Sequence, residues 1–248
     1  MLPFRPAPVA VAPMVDWTDR HGRYFLRRLT RRARLYTEMI PAAAVTRQAD
    51  PGHLLAFHPD EHPVTLQLAG SDPAELAHAA RLGVVYGYDA IDLNLGCPSG
   101  PVQAGHFGAR LMKTPWLAAR CVAAMAEAAD PVPVTVKLRL GVDHRDSPAH
   151  FLALVAALHD AGARAVAVHA RKAWLKGLDT RANRTVPPLR PERVHALKRL
   201  YPGLPVIYNG GITTLDAADA ALRRVEGVMI GRAAVETPWV MAGADSRF

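Results

Sequence analysis

Strand and helix signals alternate along this chain eight times, and that rhythm restricts the fold more than any other feature. Short β-rich runs recur at PVAVAPM (8–14), RLYTEMI (34–40), VTLQLAG (64–70), AIDLNLG (90–96), VTVKLRLG (134–141), AVAVHA (165–170), PVIYNGG (205–211) and GVMIG (227–231). Helical patterns of 10–15 residues separate most of them. DPAELAHAARLG opens on Asp72 as an N-cap and is expected to stop at Gly83. SPAHFLALVAALHDAG has Ser147 as N-cap, Pro148 in the first turn and Gly162 as its stop. TLDAADAALRRV is amphipathic, and RTVPPLRPERV (184–194) reads as a surface loop entering a helix. Eight strands alternating with helices predict a single α/β domain, a TIM (β/α)8 barrel. A doubly wound open sheet is the competing architecture, but no GxGxxG follows the first strand.

A barrel places its functional groups at the C-terminal ends of its strands. Those ends carry, in order, Pro13 and Met14; Glu38; Gln67; Asn94 and Cys97; Lys137 and Arg139; His169 and Arg171; Asn209, Gly210 and Gly211; Gly231 and Arg232. In the stretch DLNLGCPSG the apolar Leu93 and Leu95 alternate with Asp92 and Asn94, and Gly96 and Pro98 then end the run. Cys97 sits where strand gives way to loop, a place from which a thiol can point into a cleft. Cys121, inside WLAARCVAAMAEAA, reads instead as a small buried hydrophobe. Two cysteines build neither a disulfide framework nor a CxxC zinc site, so no metal is expected.

The residue types at the strand ends suggest a ligand. NGG after the seventh strand and GR after the eighth let backbone approach an anion, with helix N–H groups and Arg232 to hold it. A lone NGG is more often a plain turn; the pairing with GR is what points to a phosphate. Gln67 offers a donor and an acceptor to a heteroaromatic edge. Lys137 lies in an apolar strand, an expensive place for a charge without an anion. A flavin satisfies both. His169 reads equally as a ligand contact or as a satisfied core histidine.

The balance of charge points to a further partner. The net charge is +8 and the sequence pI about 9.9. Only five of the thirty basic residues are lysine. RHGRYFLRRLTRRAR holds seven arginines in residues 20–34, and a second group comprises Arg171, Lys172, Lys176, Arg181 and Arg184. Two basic patches suggest a polyanionic partner; an arginine-biased composition is the plain alternative. No apolar run approaches the ~20 residues of a spanning helix, and the proline-rich N-terminus lacks a signal-peptide core, so a cytoplasmic location without membrane contact is expected.

Taken together, NLGCPSGPVQAGHFGARLM, APMVDWTDRHGRYFLR, HPVTLQLAGSDP, VTVKLRLGVD, HARKAWLKGL, NRTVPPL, NGGI and EGVMIGRAA resemble the tRNA-dihydrouridine synthases. DWTDRH and HARKAWL are similar to the A-type bacterial branch. The resemblance runs along essentially the whole chain. It implies an FMN-binding barrel over 1–240, with NADPH as reductant and tRNA as substrate. It implies hydride delivery to C6 of a flipped-out D-loop uridine and a proton from Cys97 to C5. Pro13, Met14, Val15, Gln67, Lys137, His169, Asn209, Gly210, Gly211, Gly231 and Arg232 match flavin-binding positions. Asn94 matches the residue on the target base, and Arg181 and Arg184 match tRNA contacts. Family members continue into a helical RNA-binding domain, so 241–248 are expected to be its truncated start. Arg110 stands where relatives often carry a second cysteine. Two alternatives remain at this point: a barrel flavoprotein reducing a small pyrimidine or enone, and a form that binds FMN but does not turn over tRNA.

Overall fold

A computed structural model describes residues 4–248. Its strands are β1 (Val9–Val11), β2 (Leu35–Pro41), β3 (Val64–Ala69), β4 (Ala90–Leu95), β5 (Val134–Arg139), β6 (Val166–His169), β7 (Val206–Asn209) and β8 (Gly227–Ile230). They form one parallel sheet in the order β1-β8-β7-β6-β5-β4-β3-β2. The seam is closed by Val11 N–H donating to the Arg34 carbonyl (2.9 Å) and Arg34 N–H donating to that of Val9 (3.0 Å). The sheet is therefore a barrel and not an open doubly wound sheet. Each strand lies inside the run that its sequence marks, save that β2 reaches one residue further, to Pro41.

Six longer helices surround it: α1 (Arg20–Leu29), α2 (Pro73–Val85), α3 (Pro115–Ala129), α4 (Pro148–Asp160), α5 (Pro191–Leu200) and α6 (Leu215–Leu222). Their starts follow the capping residues. The Asp72 carboxylate accepts from the N–H groups of Ala74 and Glu75, and Ser147 Oγ accepts from that of His150. Gly162, at φ 106°, ends α4 as expected. Gly83 does not end α2. The helix continues to Val85, and Gly87 at φ 88° follows it. Gly83 is there for packing: a Cβ would stand 2.6 Å from Ile91 Cδ1 and 2.7 Å from Leu66 Cδ2.

Period two along each strand divides the side chains between two environments. Outward-facing Leu66, Leu68, Ile91, Leu93, Val136 and Leu138 are fully buried against the helices. Burial of each contributes roughly 1.5–3 kcal/mol. Inward-facing Ala10, Ala12, Tyr36, Ala165, Ala167, Ile207 and Met229 form a separate cluster inside the barrel. The inward positions of β3, β4 and β5 are polar instead: Thr65, Gln67, Asp92, Asn94, Thr135 and Lys137.

The first basic patch is partly structural. Arg23 and Arg27 turn inward and are buried. Arg23 pairs with the buried Glu61 at 2.5 Å, and the Arg27 guanidinium donates to the carbonyls of Thr30, Ala33, Glu61 and Pro63. The amphipathic pattern of α1 thus includes two of its arginines on the core side. Residues 241–248 sit against the same helix. The Asp245 carboxylate accepts from Thr30 Oγ1 and from the N–H groups of Arg31 and Arg32. Among the described residues no helix is long and apolar enough to cross a membrane.

Candidate active site

A cavity of about 640 Å³ opens at the C-terminal end of the barrel. Its walls include Pro13, Met14, Val15, Gln67, Asn94, Cys97, Lys137, His169, Arg184, Asn209, Gly210, Gly211, Gly231 and Arg232. Apart from Glu38, the strand-end residues read from the sequence thus line one space. Arg181 does not line it; its side chain is exposed on the loop beside Arg184. Val15 and Trp17 stand at the mouth, 54% and 57% exposed. Their loop is held from beneath by Glu38, whose carboxylate accepts from Asp16 N–H (2.6 Å), and by Thr18 Oγ1, which accepts from Met14 N–H.

Cys97 begins the loop after β4, and every peptide group around it is engaged. Asn94 Oδ1 accepts from the N–H groups of Gly96 (3.1 Å) and Cys97 (3.0 Å). Arg139 Nε donates to the Gly96 carbonyl (2.9 Å), and Ala109 N–H donates to that of Cys97 (2.9 Å). Gly108, at φ 63°, permits that approach, since a Cβ there would stand 2.6 Å from the Cys97 oxygen. The thiol lies 3.4 Å from Ser99 Oγ. Cys121 is fully buried in α3, and burial pushes its thiol up to about 12. The two cysteines therefore divide as their positions in the sequence suggest.

Below the turn runs a chain of polar side chains. Gln67 Nε2 donates to Asp92 Oδ2 (2.7 Å), Asn94 Nδ2 donates to Gln67 Oε1 (2.8 Å), and Thr135 Oγ1 donates to Asp92 Oδ1 (2.7 Å). Burial raises the Asp92 carboxyl to about 6, against the opposing effect of these bonds and of Lys137. Lys137 is the register partner of Asn94 across β4 and β5. Burial, then Arg139, lowers its ammonium to about 8. Among the described residues it has no hydrogen-bond or ion-pair partner, and it lines the cavity.

The opposite corner is cationic. His169 is pushed well below its ordinary range by burial and by Arg139, Lys137, Arg171 and Arg232, so its ring is neutral at pH 7. Gly210 and Gly211 have φ of 118° and 73°, a conformation glycine adopts without strain. Asn209 Nδ2 is committed to the Met229 carbonyl (2.8 Å). The helical dipoles expected here are modest. Thr214 caps α6 with its own hydroxyl, and the segment after Arg232 is a four-residue turn, Ala233–Glu236. Fixed side-chain charge comes from Arg139, Lys137, Arg171 and Arg232, and Arg184, whose Nε is buried without a partner among the described residues, also lines the cavity. This donor set suits a ligand with a flat polar edge and an anionic end.

Asp92, Thr135 and Arg139 are the site components that the sequence reading leaves without a role. Asp92 shares the inward face of β4 with Asn94, two residues on, so strand periodicity alone could have identified it. Arg139 is found the same way, two residues after Lys137 at the end of β5, but its role is not. Its guanidinium ties Gly96 to the carbonyls of Lys172 and Asn183, joining loops that only the fold brings together.

Comparison with known proteins places this geometry. In its fold the chain is similar to morphinone reductase, solved in complex with tetrahydroNAD: the TM-score is 0.68 at 13% identity, over 98% of this chain and 87% of that one. It is 53% identical over 238 residues to the tRNA-dihydrouridine(20/20a) synthase of Synechocystis sp., which covers 96% of this chain and 71% of the relative. The enzymes of that name from Xanthomonas axonopodis pv. citri and Salmonella typhimurium are 54% and 49% identical over similar spans. Residues 10–247 match the profile described as Dihydrouridine synthase (Dus). With a matching profile over nearly its whole length, set on a barrel whose strand ends converge on Cys97, this chain belongs to the dihydrouridine synthase family.

Proposed function

We propose that the chain reduces a uridine of the tRNA D-loop to 5,6-dihydrouridine, with FMN in the barrel mouth and NADPH as reductant. One observation carries this reading: the Cys97 thiol, the unpartnered Lys137 ammonium and the cationic corner at Gly210, Gly211 and Arg232 open into the same cavity. A buried ammonium without an anion fits the electron-rich edge of a flavin, and the cationic corner fits its phosphate. Pro13, Met14, Val15, Gln67, Lys137 and His169 would hold the ring system. Asn209, Gly210, Gly211, Gly231 and Arg232 would hold the phosphate end.

The bound flavin, reduced by NADPH, supplies the hydride for C6. The remaining steps belong to the chain. Asn94 contacts the target base. The Cys97 Sγ–H bond breaks as its proton goes to C5, and the thiolate regains a proton from solvent. Uridine, NADPH and one proton become dihydrouridine and NADP+. Drawing the base out of its stack costs a few kcal/mol, and Arg181, Arg184 and the exposed arginines near the mouth hold the RNA against that cost.

The test is anaerobic. The purified holoprotein is reduced with NADPH, and tRNA lacking dihydrouridine is added while the flavin absorbance is followed. Reoxidation with dihydrouridine in the RNA is the expected result. Reoxidation by a small enone or free pyrimidine, but not by tRNA, would establish the small-substrate alternative. A flavin that stays reduced with every acceptor would establish binding without turnover.

A further inference from the structure

The amide chain beneath Cys97 has a direction. At its lower end stands the Asp92 carboxylate, which as an ion only accepts. At its upper end stand the backbone N–H groups of Gly96 and Cys97, which only donate. Between them lie two amides, Gln67 and Asn94, each of which could face either way. Both ends demand the same orientation. Asp92 draws the Nε2 of Gln67, which turns Oε1 toward Asn94. Asn94 answers with Nδ2, which leaves its Oδ1 for the Cys97 turn. The oxygen of Asn94 then accepts twice and is saturated. Its one uncommitted group is the second Nδ2–H, and Asn94 lines the cavity.

We infer that Asp92 is a positioning residue: acting through Gln67, it fixes Asn94 with its oxygen on the Cys97 turn and its free N–H toward the cavity, so that Asn94 admits a carbonyl oxygen of the substrate ring and not an amino group. The part concerning substrate rests on the proposed uridine reduction; the part concerning the thiol does not. Both carbonyls of uracil are acceptors, whereas cytosine carries an amino donor at position 4. One side chain thus couples the choice of ring edge to the placement of the thiol.

The experiment exchanges the carboxylate along the chain. Four variants of the holoprotein are compared: Asp92→Leu, Asp92→Asn, Asn94→Asp and the double Asp92→Asn/Asn94→Asp. The first readout is the rate at which iodoacetamide alkylates Cys97, located by peptide mapping, with buried Cys121 as the internal reference. Asp92→Asn can keep the direction, its oxygen toward Gln67 and its NH2 toward the Thr135 hydroxyl, so its rate should stay within about threefold of the parent. Asp92→Leu leaves Gln67 without an acceptor, and Asn94→Asp sets carboxylates at both ends of one amide. Each should shift the rate about tenfold or more. In the double variant the two bonds on Gln67 can form with their direction reversed while a residue-94 oxygen still accepts from the Cys97 turn, and the rate should return to within about threefold. A parental rate for Asp92→Leu, or a double variant no better than Asn94→Asp, would overturn the positioning role.

The second readout is kcat/KM on uridine-containing tRNA. The double variant now faces the ring with an acceptor, so it should stay at least about 100-fold below the parent although its thiol is restored. Recovery of both readouts would overturn the selection of a carbonyl. If alkylation follows the pattern while even the parent leaves tRNA unreduced, the proposed function fails and the positioning role stands.

Discussion

The interior of this barrel has two unlike halves. From β6 through β1 the inward positions are mostly small or apolar, namely Ala165, Ala167, Ile207, Met229, Ala10 and Ala12, with His169 and Asn209 as polar residues at the ends of β6 and β7. From β3 to β5 they are Thr65, Gln67, Asp92, Asn94, Thr135 and Lys137. Yet the outward faces of both halves carry the same branched aliphatic residues. The difference shows that stability and chemistry are assigned to opposite faces of the same strands. The apolar half provides space, because alanine occupies positions that could hold larger side chains. The polar half provides direction, because each of its groups has few ways to satisfy its bonds.

Breaking the polar half at its outlet should have the largest effect. Cys97→Ala should retain flavin and slow base reduction about 10²–10⁴-fold, the usual contribution of a general acid. Single-turnover reoxidation by tRNA measures it, and an unchanged rate would remove the thiol from the proton-donor role. Next is Lys137→Met. Holding Lys137 near 8 instead of 10.5 costs the flavin-free chain about 3 kcal/mol at neutral pH. The sign follows from linkage. Below the folded value both states carry the proton and the cost is complete. It fades as pH rises from about 8 toward 10.5 and is gone above. The variant should therefore be more stable than the parent in urea at pH 7, converge with it at high pH, and lose flavin. A flavin content equal to the parent's would refute the pairing of Lys137 with an anion.

The apolar half should respond in the opposite way. Ala12→Leu fills part of the cavity, destabilising by about 1–3 kcal/mol while expelling flavin. Urea unfolding with and without added FMN separates the two losses; a variant that still binds FMN tightly would show that the space is not used. Ile207→Val should have the smallest effect, about 0.5–1.5 kcal/mol. Ile207 does not line the cavity, so flavin affinity should be unchanged in a titration followed by fluorescence. A loss of affinity there would blur the distinction between the halves.

How much of this was legible in the sequence varies with the range of the interaction. The strands were plain, because period two and the Gly or Pro after each run are local signals. The strand-end residues followed from the barrel rule once eight strands had been counted. Gly83 was misleading, since a glycine near the end of a helical pattern resembles a stop, and only the closeness of Ile91 and Leu66 reveals its packing role. Arg23 and Arg27 were misleading for a related reason. A run of arginines looks like surface, and the Glu61 carboxylate and the carbonyls of Glu61 and Pro63 that help draw two of them inward lie more than thirty residues away on the way into β3. Asp92 was visible as a letter but not as a role, because its significance depends on Gln67 in the neighbouring strand.

Arg27 holds the C-terminal end of α1, the turn after it and the entrance to β3 with a single guanidinium. Opening any one of these segments alone strands the carbonyls of Thr30, Ala33 or Glu61, which have no other donor among the described residues, and Arg23 with Glu61 adds a second tie across the same gap. The amides of α1 and of the start of β3 should therefore exchange their hydrogens with solvent as one cooperative unit. The first quarter of the barrel then has no independent existence as a βα repeat: it acquires its protection only when residues 61–63 have come home.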